Sequence, residues 1–597
     1  MAHIDYAIIV VYFAVVIGVG FWYQRRASRN LDSYFLGGKS MHWLALAMSG
    51  SVATFDITGT MWIVTLITLF GMKSMWNHWM WGFLMAAFFM SYMGKWVRRS
   101  GVMTGAEWMV TRFGDRLDGQ VARIAYTLMA VVTLAGFIGY AFQGIGKFAA
   151  VYVDLGLDPQ TTAQICAVTV FTITTLYVLL GGLYSVVVTN VIQTIILTVA
   201  SLVIAGVAYV KLSPELLAKA LPTDWTSLVP PWRLEHAADL PADYAVYELF
   251  GALVIVWVVK GLLLNLGGPG QMTDFQIFLA TRSPRDASKL GAAWSGFLVV
   301  RWAMCMGIAL LAITGLANAK DPEQVMPIVL QTYLWPGVRG LVIAGLLAAF
   351  MSTFSATVNA AASYIVRDFW QPLVLRNARS ANQRHLVWAS YVATVGVVLV
   401  GTAIGFQADS IRQIWDWIMM AVGAAFVVPN VFRWYWWRLN GWGYAIGTLV
   451  GMVGALAAPF VPGMNLPYLA FPVVCTLSVI GCLAGTWLTR PTDETVLVAF
   501  FNTVRPFGLW GPIRRKSGLS AGQLADRSES MLLAAVNLVL ASVMILGAYL
   551  APMYLVGHWH GTAGVWFAVA VAAAVALYFT WYRNLPADKP ATARPSR

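Results

Sequence analysis

Long apolar stretches separated by short polar segments run along almost the whole chain. About 20 consecutive apolar residues are needed for an α-helix to cross the hydrocarbon core of a bilayer. Fifteen stretches approach or exceed that length, which predicts a polytopic, all-α integral membrane protein. In chain order the predicted spans cover residues 4–23, 43–70, 76–94, 124–152, 160–180, 184–210, 244–268, 291–316, 338–366, 386–406, 413–432, 441–461, 468–489, 532–553 and 563–582.

Lys and Arg are distributed unevenly between the segments that connect these spans. If the N-terminus lies outside the cell, 29 of them fall in cytoplasmic segments, seven in outer segments and three within spans. Cytoplasmic segments of membrane proteins are enriched in Lys and Arg, and a missed span would reverse the alternation. The pattern predicts a multi-pass protein of the cell (inner) membrane with an outer N-terminus and a cytoplasmic C-terminus.

The composition indicates the same class of protein. Of the 597 residues, 59% are hydrophobic and 11% are charged, whereas a soluble domain carries about 25% charged residues. The net charge of +13 lies in short segments between apolar stretches, so we expect the lipid bilayer, and no nucleic acid, as a partner. We expect a monomer with a single transmembrane domain over residues 1–597, ending in a disordered polar tail, 584–597.

Two of the predicted spans are interrupted by small and polar residues. In span two, Asp56 lies between Ser-Gly-Ser at 49–51 and Thr-Gly-Thr at 58–60, and span seven ends in Gly-Gly-Pro-Gly at 267–270. Broken helices within a bilayer free backbone groups that bind ions or line a cavity. Because the two interruptions are five spans apart, they predict two inverted repeats of five helices, each opening with a broken helix.

Ionisable residues within spans are candidate functional residues, because a charge is costly inside a bilayer. Asp56 is the strongest candidate, since the hydroxylated residues around it suit a cation or a polar substrate. A helix cap or an ion pair is the alternative role. Lys260 precedes the second interruption, where it could contact a solute or pair with an acid such as Glu248 or Asp56.

Three further charged residues within predicted spans are given structural roles. Lys147 and Arg301 are interpreted as interfacial cations, whose long side chains can reach the membrane surface. Asp416 is flanked by two Trp residues, which are frequent at membrane interfaces. We therefore expect Asp416 near a membrane surface.

Span nine is rich in small and hydroxylated residues, which let helices approach closely. For most of these residues helix packing is the preferred interpretation, with hydroxyls donating to carbonyls one turn earlier. Ser352 and Thr353, however, are adjacent and follow Ala349 by one turn. Their hydroxyls and the Ala349 carbonyl would form a cluster of oxygen atoms, which hard cations such as sodium prefer.

Four segments in this order resemble the sodium:solute symporter family, which includes carriers of sugars, proline, pantothenate and sialic acid. The first three read SYFLGGKSMHW at 33–43, TTLYVLLGGLYSVVVTNVIQTIIL at 174–197 and QMTDFQIFLATRSPRDASK at 271–289. The fourth is span nine, with its Ala-x-x-Ser-Thr sequence and a terminal Asp. Together the matches cover about residues 5–435.

The resemblance implies a LeuT-type core of ten helices, spans two to eleven (43–432). One extra helix precedes it (4–23) and about four follow it (441–582). It also implies a small-molecule solute and a coupling sodium ion held by the carbonyls of Thr54, Ile57 and Ala349 and the hydroxyls of Ser352 and Thr353. The solute is expected beside this ion, and the residues assigned to solute binding or coupling are Asp56, Gly59, Lys260 and Asn265.

Two positions depart from the family pattern. Asn190 stands where the signature has an Asp, which some members use in a second sodium site, so we expect one sodium ion per transport cycle. Ile277 stands where an Arg is usual.

The function expected from the sequence is sodium-coupled import of a small polar solute, with sugars, polyols and organic acids favoured. Two alternatives remain open. One is a proton-coupled or uncoupled carrier of the same fold, with Asp56 as the titrating group. The other is a transporter-like sensor. We do not expect an enzyme, because the spans carry no metalloprotease motif and no complete phosphate-binding loop.

Overall fold

The computed structural model describes residues 1–27, 41–78, 84–102, 104–235, 240–268, 274–315, 321–375 and 383–586. Within these ranges the backbone is helical or irregular, and the extended pairing consists of two isolated bridges, Met41 with Thr281 and Trp436 with Leu509. The prediction of an all-α protein is therefore confirmed. The predicted tail, 584–597, lies mostly outside the described residues.

The helices of the first half of the chain surround the two interruptions. They are α1 His3–Ala27, α2 Trp43–Thr54, α3 Ile57–Phe70, α4 Met75–His78, α5 Leu84–Phe88, α6 Gly94–Ser100, α7 Glu107–Phe113, α8 Leu117–Ala150, α9 Pro159–Lys211, α10 Pro214–Ala220, α11 Phe250–Leu266, α12 Asp274–Leu279 and α13 Pro284–Gly315.

The second half of the chain completes the core and adds further helices after it. They are α14 Val325–Tyr333, α15 Val338–Ser363, α16 Gln383–Phe406, α17 Ile411–Asp416, α18 Gly423–Tyr435, α19 Gly441–Ala457, α20 Pro467–Leu488, α21 Glu494–Val504, α22 Gly511–Lys516, α23 Ala521–Leu524, α24 Met531–Val556 and α25 His560–Thr580. Three π-helical segments, Phe89–Met93, Tyr364–Val374 and Trp417–Val422, lie between consecutive helices.

Helices α2 and α3 form the first broken helix, and the break lies at Phe55 and Asp56. Asp56 has an extended backbone, and its Oδ2 accepts a hydrogen bond from the Gly59 amide at 2.8 Å. A carboxylate at this N-cap position satisfies an amide that the first turn of a helix leaves unpaired. The interruption predicted in span two is confirmed, and Asp56 begins its second half.

The second interruption follows α11, which ends at Leu266. The next helix, α12, begins at Asp274, and residues 269–273 between them lie outside the described part of the chain. Gly268 adopts a φ of 95°, a conformation that glycine tolerates more readily than other residues. The helix therefore stops where the sequence predicts a break.

Thirteen helical segments of the described residues are long and apolar enough to cross a membrane. The first and third predicted spans, 4–23 and 76–94, are not among them, and both contain residues whose side chains or backbone lie outside the description. Spans five and six correspond to two of these segments, Pro159–Leu179 and Asn190–Lys211, which both belong to α9.

The two membrane-spanning segments of α9 run in opposite directions. Tyr152, just before its start, donates to the Pro327 carbonyl, and Lys211, at its end, lies 5.7 Å from the Tyr333 ring centre. Pro327 and Tyr333 both belong to the nine-residue helix α14. Because both ends of α9 contact this short helix, the chain reverses between them, as two membrane crossings require.

Helix α15, which we call the hydroxyl helix, lies in the interior and packs against α2, α8 and α9. Its buried residues include a run of small side chains on both sides of Ser352. Close approach of this kind also joins α2 to α13, where a Cβ on Gly50 would lie 2.4 Å from the Trp294 ring. Small residues therefore bring three helices together around the first break.

Candidate functional site

A cavity of about 120 Å³ lies beside the break in the first broken helix. Its walls come from α2 and α3 on one side and from α8, α11, α13, α15 and α17 around them. The polar lining residues include Asp56, Asn265, Arg301, Thr353 and Thr357. The elements that the sequence assigns to the solute site thus meet at one cavity.

Arg301 projects from α13 onto the break and contacts both of its ends. Its Nη1 donates to the Thr54 carbonyl at 2.7 Å, and its Nη2 lies 3.4 Å from Asp56 Oδ1. Its Nε donates to Thr60 Oγ1 at 3.2 Å. The guanidinium thus lies at the negative C-terminal end of α2, where a cation is favoured.

The interpretation of Arg301 as an interfacial cation is therefore wrong. The residue is buried and lines the central cavity. Arg301 lies near the middle of predicted span eight, and this position indicates a functional residue, because a charged side chain is costly at that depth in a bilayer. The sequence could not reveal its partner, since Asp56 is 245 residues away along the chain.

Aromatic rings from several helices form another part of the cavity wall. The ring centroids of Trp62 and Trp415 are 5.1 Å apart, and those of Tyr140 and Trp415 are 5.0 Å apart. Three buried polar atoms among them, Trp62 Nε1, Tyr140 Oη and His78 Nε2, have no hydrogen-bond partner among the described residues. Buried polar atoms are usually satisfied, so these atoms are available to a bound solute.

Of the proposed sodium ligands on the hydroxyl helix, Thr353 contacts the break directly. The Thr353 hydroxyl lies 2.8 Å from the Ala53 carbonyl and 3.1 Å from the Ala349 carbonyl. Ser352 Oγ is buried and has no partner among the described residues. Ile57 is also buried and begins α3. The structure thus brings carbonyl and hydroxyl oxygens of the two helices together.

One predicted ligand already has a partner of a different kind. The Thr54 carbonyl accepts the 2.7 Å hydrogen bond from Arg301, while its neighbour Ala53 supplies the carbonyl next to Thr353. The assignment of Thr54, Ile57, Ala349, Ser352 and Thr353 to sodium remains a prediction.

Two of the four residues assigned to the solute, Asp56 and Gly59, lie at the break, and a third, Asn265, lines the cavity from the end of α11. The Asn265 amide donates to the Gly261 carbonyl at 2.7 Å, which leaves its Oδ1 available. The fourth, Lys260, does not line the cavity. Its Nζ lies 4.2 Å from the centre of the Trp257 ring.

Asp416 and Lys147 both form ion pairs within the protein. Asp416 is buried and pairs with Arg412 at 2.7 Å, and its position near a membrane surface remains a prediction. Lys147 is mostly buried and pairs with Glu323 at 2.6 Å and Asp321 at 3.1 Å. It forms an internal ion pair, and its position at the membrane interface remains a prediction.

Asn190, which replaces the Asp of the family signature, connects α9 to α2. Its Nδ2 donates to Ser49 Oγ at 2.7 Å, and Thr194 donates to the Met48 carbonyl at 3.2 Å. These are neutral hydrogen bonds between buried groups. A second cation would find an amide here in place of a carboxylate.

The chain is similar to sodium/proline symporters of Staphylococcus aureus. Those of strains JH9 and COL are each 24% identical to it over 475 residues, which cover 75% of this chain and 84% of the relative. A solved structure of a Na⁺-coupled sialic acid symporter in a substrate-bound outward-open state matches with a TM-score of 0.62 at 17% identity. It covers 82% of this chain and 99% of that one. The match confirms the expected LeuT-type fold with its five-plus-five repeat.

The model of the sodium:solute symporter family matches residues 34–451. That region contains both broken helices, the cavity and the hydroxyl helix, and it is more than half of the chain. The expected family is therefore confirmed by the whole core. The chain belongs to the sodium:solute symporter family and is a multi-pass membrane transporter, not an enzyme, with sodium as its coupling ion.

Proposed function

We propose that this chain imports a small polar organic solute together with sodium by alternating access. The observation that carries the proposal is the Thr353 hydroxyl, which bridges the Ala53 carbonyl at the helix break and the Ala349 carbonyl of the hydroxyl helix. A sodium ion bound to oxygens of both helices would hold the broken helix in the conformation that shapes the adjacent cavity. Sodium and solute binding would then support each other.

The site proposed for sodium uses the carbonyls of Thr54, Ile57 and Ala349 and the hydroxyls of Ser352 and Thr353. The unsatisfied, buried Ser352 Oγ supports this assignment, because a buried hydroxyl without a partner is costly. Asp56 lies beside these oxygens and supplies the negative charge that a dehydrated cation needs. We expect a single sodium ion, since Asn190 carries no charge.

The solute is proposed to bind in the central cavity, in contact with Asp56, Gly59 and Asn265. Sugars, polyols and organic acids are favoured by the sequence, and the Arg301 guanidinium on the cavity wall favours the acids. The similar transporters point the same way, because proline and sialic acid are both carboxylic acids. Lys260 does not line the cavity, so it is proposed to act on the site indirectly, through its contact with the Trp257 ring.

The orientation proposed is an outer N-terminus and a cytoplasmic C-terminus in the cell membrane. Sodium would then enter from the side of higher concentration and positive potential. Each positive charge that crosses 100 mV releases about 2.3 kcal/mol. That free energy drives accumulation of a solute that carries no net negative charge. The negative charge of an anionic solute would cancel the positive charge of the sodium ion.

The test is uptake by proteoliposomes of the purified protein, titrated with sodium at fixed pH. A panel of sugars, polyols, amino acids and organic acids, screened first by thermal stabilisation with and without sodium, selects the solute. Uptake that follows pH and ignores sodium would instead identify a proton-coupled carrier. Binding without uptake would identify a sensor.

Replacing both hydroxyls, with Ser352→Ala and Thr353→Ala, is expected to weaken sodium affinity about tenfold or more, because two charge-binding oxygens are lost. Expression should remain intact, since both side chains are small. Thr172→Ala is the matched control, because its exposed hydroxyl donates only to the Val168 carbonyl one turn earlier. Unchanged sodium affinity in the double variant would refute this ligand set.

A further inference from the structure

We propose that Arg301 and sodium compete for one backbone carbonyl at the helix break, and that the guanidinium displaced by sodium binds a carboxylate of the solute. This inference rests on the proposed function, because it requires a sodium site at the break. It makes Arg301 the residue that sets solute specificity. The solute class it identifies is a compact carboxylic acid or an amino-acid-like zwitterion.

The competition follows from a single oxygen atom. The Thr54 carbonyl is a proposed sodium ligand, yet it accepts the shortest hydrogen bond of the Arg301 guanidinium, at 2.7 Å. A sodium ion bound to this oxygen would lie only a few ångströms from the guanidinium, and like charges repel strongly at that distance in a poorly hydrated site. Sodium therefore binds only when Arg301 withdraws from Thr54.

The other contacts of Arg301 are long enough to be exchanged. Its Nη2 lies 3.4 Å from Asp56 Oδ1, and its Nε donates to Thr60 Oγ1 at 3.2 Å. Asp56 does not depend on Arg301 for its position, because its other oxygen accepts from the Gly59 amide at 2.8 Å. The carboxylate thus stays at the break when the guanidinium leaves and remains there to attract the arriving sodium.

The displaced guanidinium has the cavity as its nearest space. Arg301 already lines the cavity wall, so a rotation of its side chain keeps it in contact with the solute. A guanidinium presents its N–H groups as a planar fork that matches the two oxygens of a carboxylate. Hydroxyl groups of a neutral sugar offer no such match and no opposite charge.

The aromatic part of the cavity wall defines the rest of the solute. Trp62, Tyr140 and Trp415 present ring faces, which cover apolar surface or attract a cationic group. Trp62 Nε1 and Tyr140 Oη have no partner among the described residues and would bind a hydroxyl, carbonyl or amide. The solute that fits carries a carboxylate at one end and a ring or short chain with polar substituents at the other.

A shared arginine makes the two binding steps mutually dependent. Sodium releases the guanidinium and so strengthens binding of a carboxylate. By linkage the carboxylate strengthens sodium binding by the same factor. An uncharged solute gains no such factor. The strength of the coupling between sodium binding and solute binding thus depends on the charge of the solute as well as on the transporter.

The first experiment uses sodium alone. The purified full-length protein is titrated with sodium chloride at constant ionic strength, and tryptophan fluorescence reports binding, since Trp294 Nε1 donates to Thr54 Oγ1 at 3.3 Å. Arg301→Gln should bind sodium about fivefold more tightly than the wild type, because its competitor is gone. Arg367→Gln, which removes a guanidinium on a different helical segment that pairs with Glu107, is the control and should stay within about twofold.

The second experiment uses solutes. Thermal stabilisation is measured for L-proline, N-acetylneuraminate and L-lactate, and for the uncharged galactose and mannitol, each with and without sodium. Sodium should strengthen binding of a carboxylate about tenfold in the wild type and by less than about twofold in Arg301→Gln. Arg301→Lys keeps the positive charge but lacks the planar pair of N–H groups that matches the two oxygens of a carboxylate. It should bind sodium like the wild type while losing most of the carboxylate gain.

The outcomes separate this inference from the proposed function. A wild type that does not respond to sodium overturns the proposed function itself. A wild type that binds sodium, with Arg301→Gln binding it no more tightly, overturns the competition alone. A wild type stabilised only by the uncharged solutes overturns the role of Arg301 as a carboxylate anchor. If Arg301→Gln does not fold, Arg301→Met, which also removes the charge and keeps a long side chain, takes its place in both experiments with the same expected results.

Discussion

The carbonyls at the end of a half-helix lack the amides that a continuing helix would provide. In this transporter the Ala53 carbonyl accepts from the Thr353 hydroxyl and the Thr54 carbonyl accepts from Arg301. At the start of α3 the unpaired groups are amides, and Asp56 accepts a hydrogen bond from one of them, the Gly59 amide. At the scale of single residues, the site is a helix break whose unpaired backbone groups are satisfied by two neighbouring helices and by Asp56 in the break itself.

Gly59 is the residue that leaves room for this arrangement. A Cβ at this position would lie 2.5 Å from Asp56 Oδ1 and 3.0 Å from Arg301 Nη2, so the carboxylate or the guanidinium would have to move. Gly59→Ala is expected to lower sodium-dependent uptake about tenfold, which corresponds to roughly 1.4 kcal/mol. Helix stability should not fall, since Ala is the better helix former. Gly396→Ala, where a Cβ meets nothing within 4 Å, is the control that should transport normally.

The sequence locates the break but not the groups that close it. Asp56 is predictable, because an acid among small residues in a long apolar span suits a cap or a cation site. Arg301 is not predictable as its partner, since side-chain pattern does not show which face of α13 meets α3. The same limit applies to Lys260, whose neighbour is Trp257 and not the cavity. The sodium ligands remain predictions.

At the scale of helices, hydropathy predicts which segments cross the membrane but not the residues at which each helix begins and ends. The first broken helix is predicted as one span, 43–70, and the structure has helices at Trp43–Thr54 and Ile57–Phe70. Spans five and six are predicted at 160–180 and 184–210, and the structure has apolar helical segments at Pro159–Leu179 and Asn190–Lys211. Apolar length reports burial in lipid, whereas helix ends depend on caps and on partners distant in sequence.

The contact between the core and the C-terminal helices depends on a carboxyl group. Glu529, in the turn before α24, pairs with Arg99 at 2.6 Å and with Lys95 at 3.3 Å. Burial alone raises the pKa of Glu529, but the two cations outweigh it and lower the pKa to about 2. Because the ordinary pKa is 4.5, the ionised group stabilises the fold above that pH, and the contribution disappears as the pH falls towards 2.

Glu529→Gln should therefore destabilise the protein by about 2 kcal/mol at pH 7. Thermal unfolding in detergent measures the effect, and the gap to the wild type should narrow as the pH is lowered from 5 towards 3. Glu494→Gln removes an exposed carboxylate paired with Lys516 and should change little at any pH. A gap that does not depend on pH would show that Glu529 acts through packing and not through charge.

At the scale of the whole molecule, Glu323 joins parts of the bundle that alternating access must separate. Its buried carboxylate accepts from Lys147 at 2.6 Å and from the amides of Ile411 and Arg412 at 3.1 Å each. The Pro322 carbonyl beside it accepts from Thr65 of the broken helix at 2.8 Å. At the end of the bundle that is predicted to face outside, Glu323 thus connects α8 and α17.

Glu323→Gln should open that end more often, because an amide binds Lys147 less strongly than a carboxylate does. An Ala141→Cys substitution in the cavity wall reports the change through its reaction with a membrane-impermeant thiol reagent. The rate should rise about tenfold, as roughly 1.4 kcal/mol implies. Glu248→Gln, which affects an exposed pair with Arg233, should leave the rate unchanged. If the reaction rate rose equally in both variants, the proposal that Glu323 keeps this end of the bundle closed would be contradicted.

The Asn190 amide, which donates to Ser49, has a consequence for the electrical behaviour of transport. With a single sodium ion per cycle, co-transport of a monovalent anion moves no net charge across the membrane. Voltage then neither assists nor opposes uptake, and the anion can accumulate only to the ratio set by the sodium concentrations. A zwitterion carried by the same site would generate a current. Patch or solid-supported-membrane recordings would therefore distinguish the two kinds of cargo without any knowledge of where they bind.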